Sequence, residues 1–230
     1  NLSLSDQVTV SANTDLSVFA LSAGVSVVAE TSTGGNQSST SLNVSVAGSL
    51  SFNTLETNTR AYLETVTLES SDDVTIAAND ESTIQSITLA GAGAGTTGSG
   101  GTTVALAGSI SSNTVDGTTE AYISDSGDLQ VGGAHSLTAN DSKSIEADGG
   151  GFALAIEAGK GRAATKGKSL GTVAVGASQA TNAIGDDTTY TVQAYISQTD
   201  VTAQGDVTVA ASSTATIDAL AMGGSASVDA

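Results

Sequence analysis

Ala61–Ser86 reads AYLETVTLESSDDVTIAANDESTIQS, and the chain repeats it. AYISDSGDLQVGGAHSLTANDSKSIEA follows at 121–147, and AYISQTDVTAQGDVTVAASSTATIDA at 194–219. A further copy without its AY start opens the chain as LSLSDQVTVSANTDLSVFA at 2–20. Self-similarity at a fixed spacing is the signature of repeat architectures, in which each unit buries its apolar face only against its neighbours. The whole chain, 1–230, is therefore expected to form one repeat-built segment with copies starting near 1, 61, 121 and 194. Because both ends fall within a copy, it is expected to be an excerpt of a longer array.

A second shared segment precedes each Tyr. SLNVSVAGSLSFNTL at 41–55 aligns with TTVALAGSISSNTV at 102–115 and GTVAVGASQATNAI at 171–184. The third copy carries a four-residue insertion before its Tyr, in DDTTYTVQ. Leu42, Val44, Val46, Leu50 and Phe52 alternate with Asn43, Ser45, Ala47, Ser49 and Ser51, a period of two that marks strand. The apolar face is expected inward, with the small polar alternates facing water or forming hydrogen-bonded ladders. DQVTV, DDVTI and GDVTV alternate in the same way, and no stretch has apolar residues at helical spacing with caps. Between the shared segments lie small-residue connectors at 30–40, 91–101 and 157–169, which are expected to be loops.

Composition narrows the fold. Hydrophobic residues make up 39% of the chain but aromatics only 3%, so the core must be thin and built of Ala, Val, Leu and Ile stacked on copies of themselves. With no Pro, no strand lacks a backbone donor. These features predict an all-β fold, a right-handed parallel β-helix (β-solenoid). At ~20 residues a coil, each repeat would span about three coils and the chain roughly ten. An antiparallel β-sandwich is the alternative that the long alternation at 42–52 also allows.

The phrases NTRAYLE, GTTEAYIS and VQAYIS are each followed by a short strand and then by STIQS, SKSIEA or TATIDALA. In this they resemble repeats of very large bacterial surface and secreted adhesins, filamentous-haemagglutinin-like or leukotoxin-like. The resemblance covers essentially the whole chain. It implies a β-helical rod serving as stalk or passenger, secreted or at the cell surface. The GGxGxD nonapeptide of calcium-binding relatives is missing, which counts against a stacked calcium roll.

The charge excludes some roles. Twenty-four acids against six bases give a net charge of −18, the wrong sign for a nucleic-acid partner. No apolar run reaches the ~20 residues of a membrane-spanning helix, and insertion is not expected. Acidic turns are the candidate metal ligands: Asp72 with Asp73 and Asp186 with Asp187 could offer carboxylates to calcium, although turn Asp more often bonds the local backbone. Lys160, Arg162, Lys166 and Lys168 gather four of the six bases in one connector, a candidate patch for partner binding. Glycans, matrix or self-association are the partners such a rod would have.

Recurrent Tyr62, Tyr122 and Tyr195 are read as residues closing a coil, and recurrent Asn53, Asn113 and Asn182 as a stacked amide ladder. The single His135 is expected to sit exposed in a turn. β-Helices also host polysaccharide lyases and hydrolases, but the paired carboxylates a hydrolase needs are not set along one strand face. The chain is therefore read as non-catalytic: a structural stalk or adhesion segment, or else a module binding glycans or partners through its connectors.

Overall fold

The computed structural model describes all residues except 1, 5, 32–40, 71, 98–100, 159–170, 186–189 and 230. The described residues hold sixteen strands and no helix. One copy of the repeat supplies four of them, β4 (Ser41–Glu64), β5 (Leu68–Ser70), β6 (Val74–Asp80) and β7 (Thr83–Thr97), and β8 (Gly101–Ser124) opens the next copy. Before them come β1 (Leu2–Leu4), β2 (Val8–Thr14) and β3 (Ser17–Thr31). After them come β9 (Leu129–Val131), β10 (His135–Asp141) and β11 (Ser144–Ala158). The last copy contributes β12 (Thr172–Ile184), β13 (Thr191–Ser197), β14 (Val201–Ala203), β15 (Val207–Ser213) and β16 (Thr216–Asp229).

Equivalent strands stack into four sheets: β1-β5-β9-β14, β2-β6-β10-β15, β3-β7-β11-β16, and β4-β8 followed by β12 and β13 side by side in one layer. All of these pairings are parallel, so the antiparallel sandwich is not the fold. The architecture is all-β with parallel strands in stacked sheets, an arrangement compatible with a β-solenoid.

The register corrects the expected coil. Leu2 pairs with Leu68, Leu68 with Leu129 and Leu129 with Val201, steps of 66, 61 and 72 residues. Ala61 pairs with Ala121 and Ala121 with Ala194, steps of 60 and 73. A strand thus lies beside its counterpart one whole repeat away, not ~20 residues away. The three-coil repeat and the roughly ten-coil rod do not fit these pairings. The sequence repeat and the structural layer are the same unit. The four-residue insertion has a visible cost: the strand that is continuous in β8 is split between β12 and β13, around Gly185 (φ +74°).

Two kinds of interior follow from the same alternation. Where the first two sheets face the later halves of β4 and β8, large aliphatic residues point inward: Leu68, Val74, Ile76, Ile123, Leu129 and Leu137 form one buried cluster. Farther out, β3, β7 and β11 pack against the first halves of β4, β8 and β12, and the inward residues are Ala47, Ala92, Ala105, Ala107, Ala153 and their like. Here the expected orientation is inverted. Asn43, Ser45, Ala47 and Ser49 are buried, while Leu42, Val46, Leu50 and Phe52 face outward.

The cause is spacing between the sheets. A Cβ on Gly24 would lie 2.1 Å from the Gly48 carbonyl oxygen, and one on Gly151 would lie 2.0 Å from that of Ala177. Most inward residues of this gap are glycine, alanine, serine or threonine, and at Gly24 and Gly151 only glycine fits, so the bulky alternates turn outward. The expected loop at 91–101 is also corrected: Thr83–Thr97 is continuous strand, and the other strands likewise run into the connectors as far as Thr31 and Ala158.

Gly24→Ala is expected to lower stability by ~1–3 kcal/mol, because the new methyl meets backbone that has no room to move. Gly91, on the outer face with nothing within 4 Å of a built Cβ, serves as control. Denaturant midpoints for the two variants test the assignment: equal effects would mean that the sheets are not in close contact at Gly24.

Candidate functional site

Stacking in register turns each repeated residue into a column. Asn53 Nδ2 donates to Asn113 Oδ1 at 2.7 Å, and Asn113 Nδ2 to Asn182 Oδ1 at 2.7 Å, which is the expected amide ladder. A second amide column, not anticipated, runs outside: Asn79 donates to Asn13 at 2.8 Å and Asn140 to Asn79 at 3.0 Å. Rings of Tyr62, Tyr122 and Tyr195 stack nearly parallel with centroids 5.0 and 5.1 Å apart, close to the strand spacing itself. In the AY pair the alanine faces in and the tyrosine out. Beside the rings Arg60 Nε pairs with Glu120 Oε2 at 2.6 Å across adjacent layers.

The candidate calcium ligands Asp72 and Asp73 form a corner instead of a cage. Asp72 Oδ1 accepts the Asp73 N–H at 2.9 Å, and Asp73 Oδ1 accepts the Ala134 N–H of the next layer at 2.7 Å. Among the described residues no group of three or more His, Cys, Asp or Glu is gathered to hold an ion. Asp186, Asp187, Lys160, Arg162, Lys166 and Lys168 lie outside the described residues.

His135 is the clearest correction. It is the first residue of β10, fully buried, and occupies an inward column otherwise filled by Val74 and Val207. Neither ring nitrogen makes a hydrogen bond of good geometry, and the Val74 backbone is the one polar group that partly offsets the burial. Burial lowers its pKa from the ordinary value of 6.5. The sequence does carry the signal, since His135 aligns with the first Val of DDVTI and GDVTV.

The largest chemical concentration lies at the bend between β6 and β7 and its counterpart between β10 and β11. Lys143 is completely buried, with Nζ 2.7 Å from Asp141 Oδ2 and 3.3 Å from Asp80 Oδ2. Both carboxylates are themselves buried. Thr57 donates to Asp80 Oδ2, and the Ser82 hydroxyl donates to Asp80 Oδ1. Thr119 donates to Asp141 Oδ2 at 3.2 Å and the Tyr190 hydroxyl to Asp141 Oδ1 at 3.2 Å. The Tyr190 ring stands 5.1 Å from the Lys143 ammonium, and burial raises the pKa of its hydroxyl, which stays protonated and donating. Asp141 stands two residues from Lys143 in the chain, whereas Asp80 stands 63 residues away and reaches it only through the stacking of layers.

The third notable surface is apolar. Phe19 (61% exposed), Val25 (80%), Leu42 (67%) and Phe52 (71%) lie on the outer faces of the two closely packed sheets. Phe152, Leu154, Val173 and Val175 extend them through later layers.

No family model, no curated protein and no solved structure matches the chain. Function must therefore be argued from the geometry.

Lowering pH should weaken the fold through His135. Its folded pKa lies below that of the unfolded chain, so unfolding takes up a proton. Its contribution is complete above about pH 6.5 and is lost, by up to ~1.4 kcal/mol per pH unit, as pH falls from there towards the folded pKa. Urea midpoints measured from pH 7.5 to 5 should show this slope, and His135→Val should flatten it. An unchanged slope in that variant would assign the dependence to other groups.

Proposed function

We propose that the chain is a non-catalytic structural segment, a stalk or adhesion segment of a large extracellular bacterial protein, wound as a right-handed parallel β-helix with one repeat to each coil. The observation that carries this reading is the unbroken set of parallel ladders linking every copy of the repeat to the next. A strand that returns to lie parallel to its predecessor makes a right-handed crossover in nearly all known cases. Stacked coils bear load along their axis through many backbone hydrogen bonds at once, which suits a spacer.

The adhesin resemblance and the repeat support placement outside the cell. A catalytic reading draws little support from Asp80 and Asp141, the two carboxylates gathered at Lys143, because both are buried away from any substrate. No helix of the described residues is long and apolar enough to cross a membrane.

One observation favours a second reading, a module that binds a partner. The outer faces of the two long sheets expose more contiguous apolar surface than a monomeric spacer needs. On this reading those faces and the connectors at 30–40, 91–101 and 157–169 make the contact, with glycans, matrix or further copies as partners.

A glycan array and single-molecule pulling together separate the two readings. A silent array with high-force, layer-by-layer unfolding is the expected result. Saturable glycan binding would move the conclusion to the second reading, and collapse at low force would remove the stalk. Calcium, the one ion proposed for the acidic turns at Asp72–Asp73 and Asp186–Asp187, is tested by melting the chain with added calcium and with chelator. The local backbone bonds of Asp72 and Asp73 predict equal midpoints. A rise of several degrees with calcium would give those turns a metal.

A further inference from the structure

We propose that Lys143 and Asp80 become joined by an amide bond that the chain makes itself, stapling two successive layers from inside the core. This goes beyond the stalk reading and does not depend on it.

A fully buried lysine is rare, and this one faces two buried carboxylates with a single positive charge. The neighbouring copies show that the bend does not need these charges to fold. In the column of Asp80 and Asp141 the first and last copies hold Thr14 and Ser213. Next to the bend, Leu16, Ser82 and Ala215 stand where the third layer has Lys143. Thr14 there bonds Thr59 at 2.6 Å, and Ser213 bonds Tyr190 at 2.9 Å, so neutral side chains close the same corner. The two acids and the base occur only together, in the two middle layers.

Their arrangement meets the requirements for condensing an amine with a carboxyl group. The reactants are held in contact and away from bulk water. A carboxylate stands 2.7 Å from the amine to carry protons, and donors sit on both oxygens of the carboxyl group to be attacked. Lys143 gives a proton to Asp141, and the freed lone pair attacks Cγ of Asp80. A new N–Cγ bond forms, while Thr57 and Ser82 stabilise the negative charge gathering on the Asp80 oxygens. Asp141 delivers that proton, and then a second one taken from the nitrogen, to the departing oxygen. The Cγ–O bond breaks and water leaves. An ammonium and a carboxylate have become one amide and one water, and Asp141 ends as it began. Asp141 is thus the proton carrier, and Tyr190, donating to it, is a positioning residue.

The intact mass of the purified, folded 230-residue chain decides the matter. It is expected to be lighter than its sequence by one water, with a branched proteolytic peptide linking the segments around residues 80 and 143. Lys143→Arg keeps the charge but cannot form the bond, and Asp80→Ala removes the acceptor. Both should weigh their full sequence mass, and Lys143→Arg should also lose the resistance to unfolding in hot detergent that the staple confers. Asp141→Asn should leave the two reactants in place but unjoined. A protease-resistant, folded chain of full sequence mass after prolonged incubation would overturn the proposal. So would a branched peptide placing the link at Asp141.

Discussion

Stacking in register is the constraint from which the rest of this structure follows. Every inward or outward position sits one strand spacing, ~4.8 Å, from its copy in the next layer, so a side chain's principal neighbour is itself or its substitute. Residues that pair well with their own kind are favoured: amides that donate along the column, rings that stack face to face, small aliphatics that nest. Asn113, bonded both ways at 2.7 Å, and Tyr122, stacked on both sides, are direct products of this rule. The rule also explains why so few aromatics suffice. A column of Val, Ile or Leu fills a layer 4.8 Å thick without a ring to span it.

The same rule makes departures conspicuous. A column of valines interrupted by His135 places a polar ring where its copies need only an apolar side chain. A column of Thr14, Asp80, Asp141 and Ser213 changes from neutral to charged and back within four layers. In a globular core such substitutions would be one irregularity among many. In a stack, the unmodified copies show directly what the position needs, and anything beyond that need calls for a separate explanation.

Alternation at 42–52 and the column identities at Asn53 and Tyr62 were legible in the sequence, as were the repeat, the absence of helix among the described residues and the inserted residues before Tyr195. Coil length was not, because one turn of a solenoid has no fixed circumference and nothing in a 60–73-residue repeat marks where a coil closes. Nor was the direction in which the alternation points. Period two states that Leu42 and Asn43 face opposite ways, and a core-seeking assumption then turns Leu42 inward. What overrules it is the distance between two sheets, a tertiary quantity. A trace of it is nonetheless present: the small residues recur in register at the buried positions, Gly24, Ala90 and Gly151 in one column and Ala47 and Ala107 in another. The Lys143 cluster was out of reach for a different reason, since Asp80 and Thr57 belong to the copy before Asp141 and Lys143 and join them only after winding.

That inversion separates the molecule into two chemistries. Near the bend the outer surface is charged and polar, with the Tyr stack, the Arg60–Glu120 pair and acids such as Glu146 and Asp218. Along the closely packed sheets most outward residues are aliphatic, aromatic or glycine, with Asp148 and Gln179 among them, and acids return at the far ends in Glu30, Glu157 and Asp229. A net charge of −18 keeps such a body dispersed even though it carries an apolar band. The band contributes little to the interior, whose alanines and glycines pack against each other without it. Its bulky residues therefore add little to the stability of a single chain, and they leave the apolar faces of the long sheets available for contacts beyond it.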